Sequence, residues 1–143
     1  EIEVIKSYSE LPLIECYAGQ LNQVFMNVLT NAIEALEDKA ASRDGEAQKE
    51  APLQIRLYTK MPSAHQVLVQ IGDNAGGMPA AVQSKIFDPF YTTKPIGKGT
   101  GLGLSISYKI IANLHGGQFT CQSMPGQGTD FFIQIPIHQA ANT

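Results

Sequence analysis

Between Ile86 and Ser107 four glycines alternate with other residues, at Gly97, Gly99, Gly101 and Gly103, and an apolar, helix-compatible run follows at once. Glycine at every second position removes Cβ atoms, permits positive φ and lets backbone N–H groups converge on one concavity. A helix starting there adds unpaired N–H groups and the positive end of its dipole, an arrangement suited to phosphate. Thr92, Thr93 and Lys94 supply two hydroxyls and a cation just upstream. The stretch therefore predicts a loop that closes over a polyphosphate, and it obliges the rest of the chain to supply a base pocket, a metal ligand and a scaffold.

With 143 residues the chain is expected to form one domain, 1–143, with a core that needs no disulfide. Ten basic residues stand against 13 acidic ones, for a net charge of −3 with no Lys/Arg cluster. That balance argues against a nucleic-acid partner and against direct contact with an anionic membrane. Cys16 and Cys121 lie far apart, outside any CxxC pair, and are expected as buried, reduced thiols in a reducing compartment. No apolar run is long enough to span a bilayer. The opening Glu1-Ile2-Glu3-Val4-Ile5 starts in mid-pattern, so the chain is expected to be a piece of a longer protein.

Ile2 to Tyr8 reads as a strand, and Leu11 to Cys16 as a second one placed at an edge by Pro12. From Gln20 to about Asp38, Leu21, Val24, Phe25, Val28, Leu29, Ala32 and Leu36 recur at helical spacing and form one apolar face. On its flank lie Asn27, Asn31 and Glu34, one turn apart, which fits either a solvated face or a ligand-facing stripe. Residues 40–52 are polar and patternless and are expected as a mobile loop. Leu53–Tyr58 and Val67–Ile71 read as a hairpin joined by a loop containing Pro62 and His65.

Gly72-Asp73-Asn74-Ala75-Gly76-Gly77-Met78-Pro79 follows as either a binding loop or a plain turn, with a short helix from Ala80 to Lys85 after it. A helix over Leu102–His115 is expected to bury Leu102, Ile106, Ile110, Ile111 and Leu114 and to end at Gly116-Gly117. Gln118–Ser123 and Asp130–Ile137 form a last hairpin with Phe131, Ile133, Ile135 and Ile137 facing inward. Mixed element order with several hairpins predicts an α+β, two-layer sandwich, helices on one face of a mixed, mostly antiparallel sheet.

The common phosphate motifs are absent. Gly97-Lys98 is followed by Gly99 where a P-loop needs Ser or Thr, and Gly99-Thr100-Gly101-Leu102-Gly103 is not GxGxxG. Protein-kinase VAIK, HRD and DFG signatures are missing too. In contrast, Asn27-Val28-Leu29-Thr30-Asn31-Ala32, Asp73-Asn74-Ala75-Gly76-Gly77, Phe87-Asp88-Pro89-Phe90 and Gly97 to Ser105 resemble, in order and spacing, the N, G1, F and G2 boxes. These mark the ATP-binding catalytic domain of bacterial, and in wording cyanobacterial-like, two-component sensor histidine kinases of the GHKL superfamily.

The resemblance implies a Bergerat-type fold that binds ATP and Mg²⁺. Asn31 would ligate the Mg²⁺, with Asn27 supporting the phosphates or a metal-bound water. Asp73 would accept the adenine amino group, with Ala75, Gly77, Met78 and Thr129 around the base. An ATP lid, about residues 87–103, would carry Thr92, Thr93, Lys94, Lys98, Gly99, Gly101, Leu102 and Gly103 to the phosphates, with Leu104 just behind. Ala75 departs from the usual Gly, which is expected to stiffen that loop without abolishing binding, and Glu34 departs from the usual Lys/Arg, which places phosphate neutralisation on Lys94 and Lys98.

Hydrolytic relatives carry Glu where this chain has Asn27, so the resemblance implies transfer to an external nucleophile. That nucleophile would be a histidine on an upstream helical-hairpin domain, feeding the receiver domain of a response regulator. His65, His115 and His138 are expected in surface or capping roles. The domain is expected in the cytoplasm, with anchoring of the parent left open. A protein-serine kinase of the anti-sigma type and a non-catalytic ATP-binding module are the alternative functions.

Overall fold

The computed structural model describes residues 1–42, 52–91 and 103–139. Five strands form one sheet in the order β1-β2-β3-β5-β4: β1 Ile2–Tyr8, β2 Leu53–Ser63, β3 Gln66–Asp73, β4 Gln118–Met124 and β5 Gly128–Pro136. β1 runs parallel to β2, and the other pairs are antiparallel, so the sheet is mixed and mostly antiparallel as expected. The long helix α1, Ala18–Ser42, makes the crossover from β1 to β2 that a parallel pair requires. The helices pack on the sheet face that carries Val67, Ile71, Phe131, Ile133 and Ile135, all buried with Val24, Val28 and Ile111 in one core. Among the described residues no helix is long and apolar enough to cross a membrane.

α1 buries Leu21, Val24, Val28, Ala32 and Leu36, with Phe25 and Leu29 partly buried beside them. It starts earlier and ends later than its apolar face suggests, because residues 37–42 are mostly good helix formers and Lys39 suits the negative end of the dipole. Residues 40–42, expected in a loop, are therefore its last turn; 43–51 lie outside the described residues. β2 continues through Pro62, because the β2–β3 register shifts between Lys60 and Ser63, and an irregular pair tolerates a missing N–H. The turn shrinks to Ala64-His65.

The expected strand over Leu11–Cys16 does not form. Leu13 is 98% exposed, and the segment makes a backbone bond from Glu15 N–H to Ile137 O (2.8 Å), while Leu11, Ile14 and Cys16 pack on the core. Both cysteines are free but half-buried, not fully buried. The one-turn helix α2, Ala80–Gln83, starts after Pro79 and stops short of Lys85.

The helix expected over Leu102–His115 is α3, Gly103–Lys109, followed by a π-helical turn over Ile110–Leu114. Its buried side differs from the expected one. Ile111 is buried as expected, but Ile106 and Leu114 are exposed, and Ser105, Ser107 and His115 are buried. Within α3 the buried face carries serines in place of apolar residues, and beyond it the wider π turn breaks the 3.6-residue phase at Leu114. Gly116 then takes positive φ (66°) as the expected helix terminator.

Candidate functional site

Strand register sets three polar residues side by side at one end of the sheet. Asp73 of β3 pairs with Thr129 of β5, and Thr129 pairs with Ser123 of β4. Paired residues share a face, here the one turned to the helices. Asp73 is 4% exposed. Its Oδ1 accepts the Ala75 N–H at 3.0 Å, and the Thr129 N–H also donates to it. Burial raises the carboxyl above its ordinary 3.8, and the two backbone donors oppose that rise.

Ser123 Oγ accepts the Met78 N–H (2.8 Å), faces Gly128 O (3.1 Å) and shares a hydrogen with Thr129 Oγ1 (2.9 Å). The loop after β3 is thus tied to the β4–β5 hairpin. Gly77 sits at φ +70°, where a Cβ would lie 2.0 Å from Met124 O, so no other residue fits the approach. Ala75, which replaces the usual glycine, spends its methyl on packing: it is 1% exposed against Ala32, Leu36, Leu53 and Ile55. The departure is a gain in core contact.

Asn74 acts as a strand extension. Its Oδ1 accepts the Gln54 N–H (2.7 Å) and its Nδ2 donates to Pro52 O (2.8 Å), while its own carbonyl accepts Lys39 Nζ from the end of α1 (2.7 Å). α1 is thereby fastened to the Asp73 loop at one end.

Along the same helix, Asn27 is half-buried. Its Nδ2 donates to Gly103 O (3.1 Å) and Ser107 Oγ (3.0 Å), and its Oδ1 accepts Gln23 Nε2 (2.9 Å). Asn31 and Glu34 are likewise half-buried, and neither is without a partner. Leu104 packs partly against the core behind Gly103. Before the glycine stretch, Phe87 is held in an aromatic row, 5.2 Å from Tyr108 and 4.9 Å from Phe119, which in turn lies 5.6 Å from Phe131. Phe90, three residues on, is 73% exposed at φ +66°, an uncommon conformation for a side chain of that size. Thr92, Thr93, Lys94, Lys98, Gly99, Gly101 and Leu102 lie outside the described residues.

The structure brings Asp73, Ala75, Gly77, Met78 and Thr129 together, and it sets Asn27 against Gly103. Sequence reading missed Ser123, Asn74, Lys39, Ser107 and His115. His115 is not at the surface: it is 2% exposed, its Nε2 accepts the Tyr17 N–H (3.0 Å), and its Nδ1 lies 2.9 Å from Ile110 O. Nδ1 must therefore carry the proton, and the ring joins the start of α1 to the π turn. The capping part of the expectation holds, since Nδ1–H serves a helix carbonyl. His65 and His138 are exposed, the latter 2.7 Å from Glu15 Oε1.

Layer arrangement, strand order and the polar row define the class at the level of fold: histidine-kinase catalytic domains. The nucleotide-free catalytic domain of histidine kinase ThkA aligns with TM-score 0.75 and 31% identity over 96% of this chain and 81% of that one. The chain belongs to the histidine kinase-, DNA gyrase B- and HSP90-like ATPase family, whose model matches residues 17–139.

Among curated relatives, sensor kinase CckA of Brucella abortus is 42% identical over 82% of this chain and 12% of its own length. The signal transduction histidine-protein kinase AtoS of Escherichia coli is 37% identical over 94% of this chain and 19% of its own. The chain thus spans between about an eighth and a fifth of these relatives. Full-length ShkA in complex with AMPPNP aligns at TM-score 0.75 with 26% identity, over 99% of this chain and 27% of that one. Histidine kinase ThkA in complex with the response regulator TrrA aligns at TM-score 0.68 with 26% identity, over 95% of this chain and 34% of that one.

Proposed function

We propose that this domain binds Mg-ATP and donates the γ-phosphoryl group to a histidine on a separate helical-hairpin domain of its parent, from which phosphate passes to a response-regulator aspartate. The observation that carries the reading is the buried Asp73 carboxylate, set in register with Thr129 and Ser123. A carboxylate has about four lone-pair positions, so Asp73 has acceptor capacity beyond the two backbone N–H bonds it takes. Adenine offers an amino donor there, and guanine offers a carbonyl acceptor that would face the carboxylate. Relatives named as sensor kinases, an AMPPNP complex and a response-regulator complex among the structural neighbours support the same assignment.

Asn31 is the residue for Mg²⁺. Among the described residues no group of three His, Cys, Asp or Glu could hold a metal. One amide oxygen is nevertheless enough, since Mg²⁺ keeps several waters and takes its remaining ligands from phosphate. Mg²⁺ would supply charge neutralisation there. Asn27 is an amide and cannot take a proton from water, so transfer to a presented nucleophile fits better than hydrolysis, with positioning and charge stabilisation doing the catalysis. Lys94, Lys98, Thr92 and Thr93, with Gly99, Gly101 and Leu102, are proposed for the phosphate side.

Calorimetric titration of the domain with ATP and GTP, with and without Mg²⁺, tests the reading. ATP should bind at least about 100-fold more tightly than GTP. Asp73→Asn should erase that preference, and Asn31→Ala should erase the Mg²⁺ dependence. Equal affinity of the wild type for the two nucleotides would refute adenine readout. With γ-labelled ATP the domain alone should label itself little, and strong labelling at His65, His115 or His138 would overturn transfer to an external histidine.

A further inference from the structure

We propose that Ser107 is a positioning residue that fixes the Asn27 amide so that only its oxygen is offered to the nucleotide site; the inference rests on the function proposed above. The closed hydrogen-bond set around Gly103 carries it. Gly103 O is an acceptor only, and it takes the Ser107 hydroxyl at 2.8 Å and Asn27 Nδ2 at 3.1 Å. Ser107, with no exposure, has its one hydrogen committed to Gly103 and faces Nδ2 as a second acceptor at 3.0 Å.

The orientation of the amide is therefore dictated by chemistry. A flipped amide would set its oxygen against a carbonyl oxygen and leave a buried hydroxyl without its donor. Nδ2 is thus turned toward two oxygens inside the protein. Oδ1 alone keeps acceptor capacity, with the exposed Gln23 Nε2 at 2.9 Å as its protein partner. An acceptor suits a divalent cation or the water such a cation binds, and it repels a phosphate oxygen. Asn27 thus serves the metal side of Mg-nucleotide and makes no donor contact to phosphate, and Ser107 is the residue that imposes this.

Without the Ser107 hydroxyl, Nδ2 would lose one of its two acceptors and the carbonyl beside it would lose a donor. The amide could then turn or donate to phosphate, and the advantage of Mg²⁺ would shrink. The Ser107→Val and Ser107→Thr variants carry side chains of equal size, so their difference isolates the hydroxyl from the packing disturbance. Titration with ADP in MgCl₂ and in EDTA gives a ratio of affinities for each. Ser107→Thr should keep the wild-type ratio, and Ser107→Val should lose about fivefold of it, the worth of one hydrogen bond. Equal ratios for the two variants would overturn the proposal.

A second measurement needs only the wild-type protein. The side-chain amide protons of Asn27, followed by NMR, should be protected from exchange without nucleotide and should stay protected when ADP is added in EDTA. Rapid exchange of either proton, or a large shift on adding Mg-free ADP, would overturn the assignment even if a variant failed to fold. Absence of any adenine-nucleotide binding by the wild type would instead count against the proposed function, leaving the orientation to be decided by the exchange data.

Discussion

Substituting Gly128 by alanine should injure the fold and the nucleotide site together, by an amount the geometry sets. Gly128 opens β5 at φ +114°, and a Cβ there would lie 2.0 Å from Asp73 O, 2.9 Å from Asp73 C and 2.9 Å from Asn74 Cα. These are backbone atoms at the end of β3 and cannot swing aside. Positive φ costs an L-residue about 1–2 kcal/mol. Relief of the overlap must also part β3 from β5 near the Asp73–Thr129 pair, at about 1 kcal/mol for each of about two ladder bonds. A loss of about 3–4 kcal/mol follows, which for a chain of this length lowers Tm by about 10 °C.

Gly126, two residues earlier, is the internal control. It also has positive φ (80°), but a Cβ there would meet nothing within 4 Å. Its alanine variant should lose only the conformational part, about 1 kcal/mol or about 3–4 °C. Thermal melts by circular dichroism separate the two, and ATP titration of the folded variants should show weakened binding for Gly128→Ala alone. Equal melting temperatures for Gly126→Ala and Gly128→Ala would refute the close-approach reasoning.

Three other outcomes are expected. His115→Ala should lower stability by about 3 kcal/mol, from a cavity plus the orphaned Tyr17 N–H, whereas His65→Ala should stay within about 0.5 kcal/mol in urea denaturation; similar losses would contradict the buried assignment. Cys121, whose thiol is pushed up to about 12 by burial and then by the Asp130 and Asp73 carboxylates, should resist iodoacetamide at about pH 8 until the chain is unfolded, read by mass spectrometry. For Asp73 the folded pKa lies above 3.8, so its stabilising share is complete below 3.8 and is lost as pH rises through the folded value. The stability of Asp73→Asn relative to wild type should therefore rise with pH across that window and then level off; a difference independent of pH would refute it.

Much of this was legible because apolar periodicity reports burial directly. The face of α1 from Leu21 to Leu36 and the alternation of Phe131, Ile133, Ile135 and Ile137 appear in the structure as read. By spacing alone the Asp73 loop reads equally as a turn and the Asn27–Asn31 stripe as a solvated face; only their order with the Phe87–Phe90 and Gly97–Ser105 segments pointed to a nucleotide. Buried polar residues were not legible. Ser107, Ser123 and His115 satisfy their hydrogen bonds inside the protein, and hydropathy counts them as surface. The true face of α3 was hidden because its buried positions are Ser105 and Ser107, and the π turn after it breaks the 3.6-residue period at Leu114. Pro12 and the apolar residues around it suggested an edge strand, yet Leu11 and Ile14 bury themselves without a ladder. Asn74 passed for a turn residue, although its side chain continues the pairing of β2.

The long-range ties also bear on the order in which the chain assembles. The β2–β3 and β4–β5 hairpins close over short turns and can form locally. In contrast, Asn27 and Gly103 are 76 residues apart in sequence, and Tyr17 and His115 are 98 apart. Loop closure over such spans comes late, so the two sides of the proposed nucleotide site meet only as the last barrier is crossed or after it. A nucleotide that needs both sides has nothing to hold in the transition state. It would leave the refolding rate unchanged and act wholly on escape from the native state, prolonging the lifetime of each folded molecule.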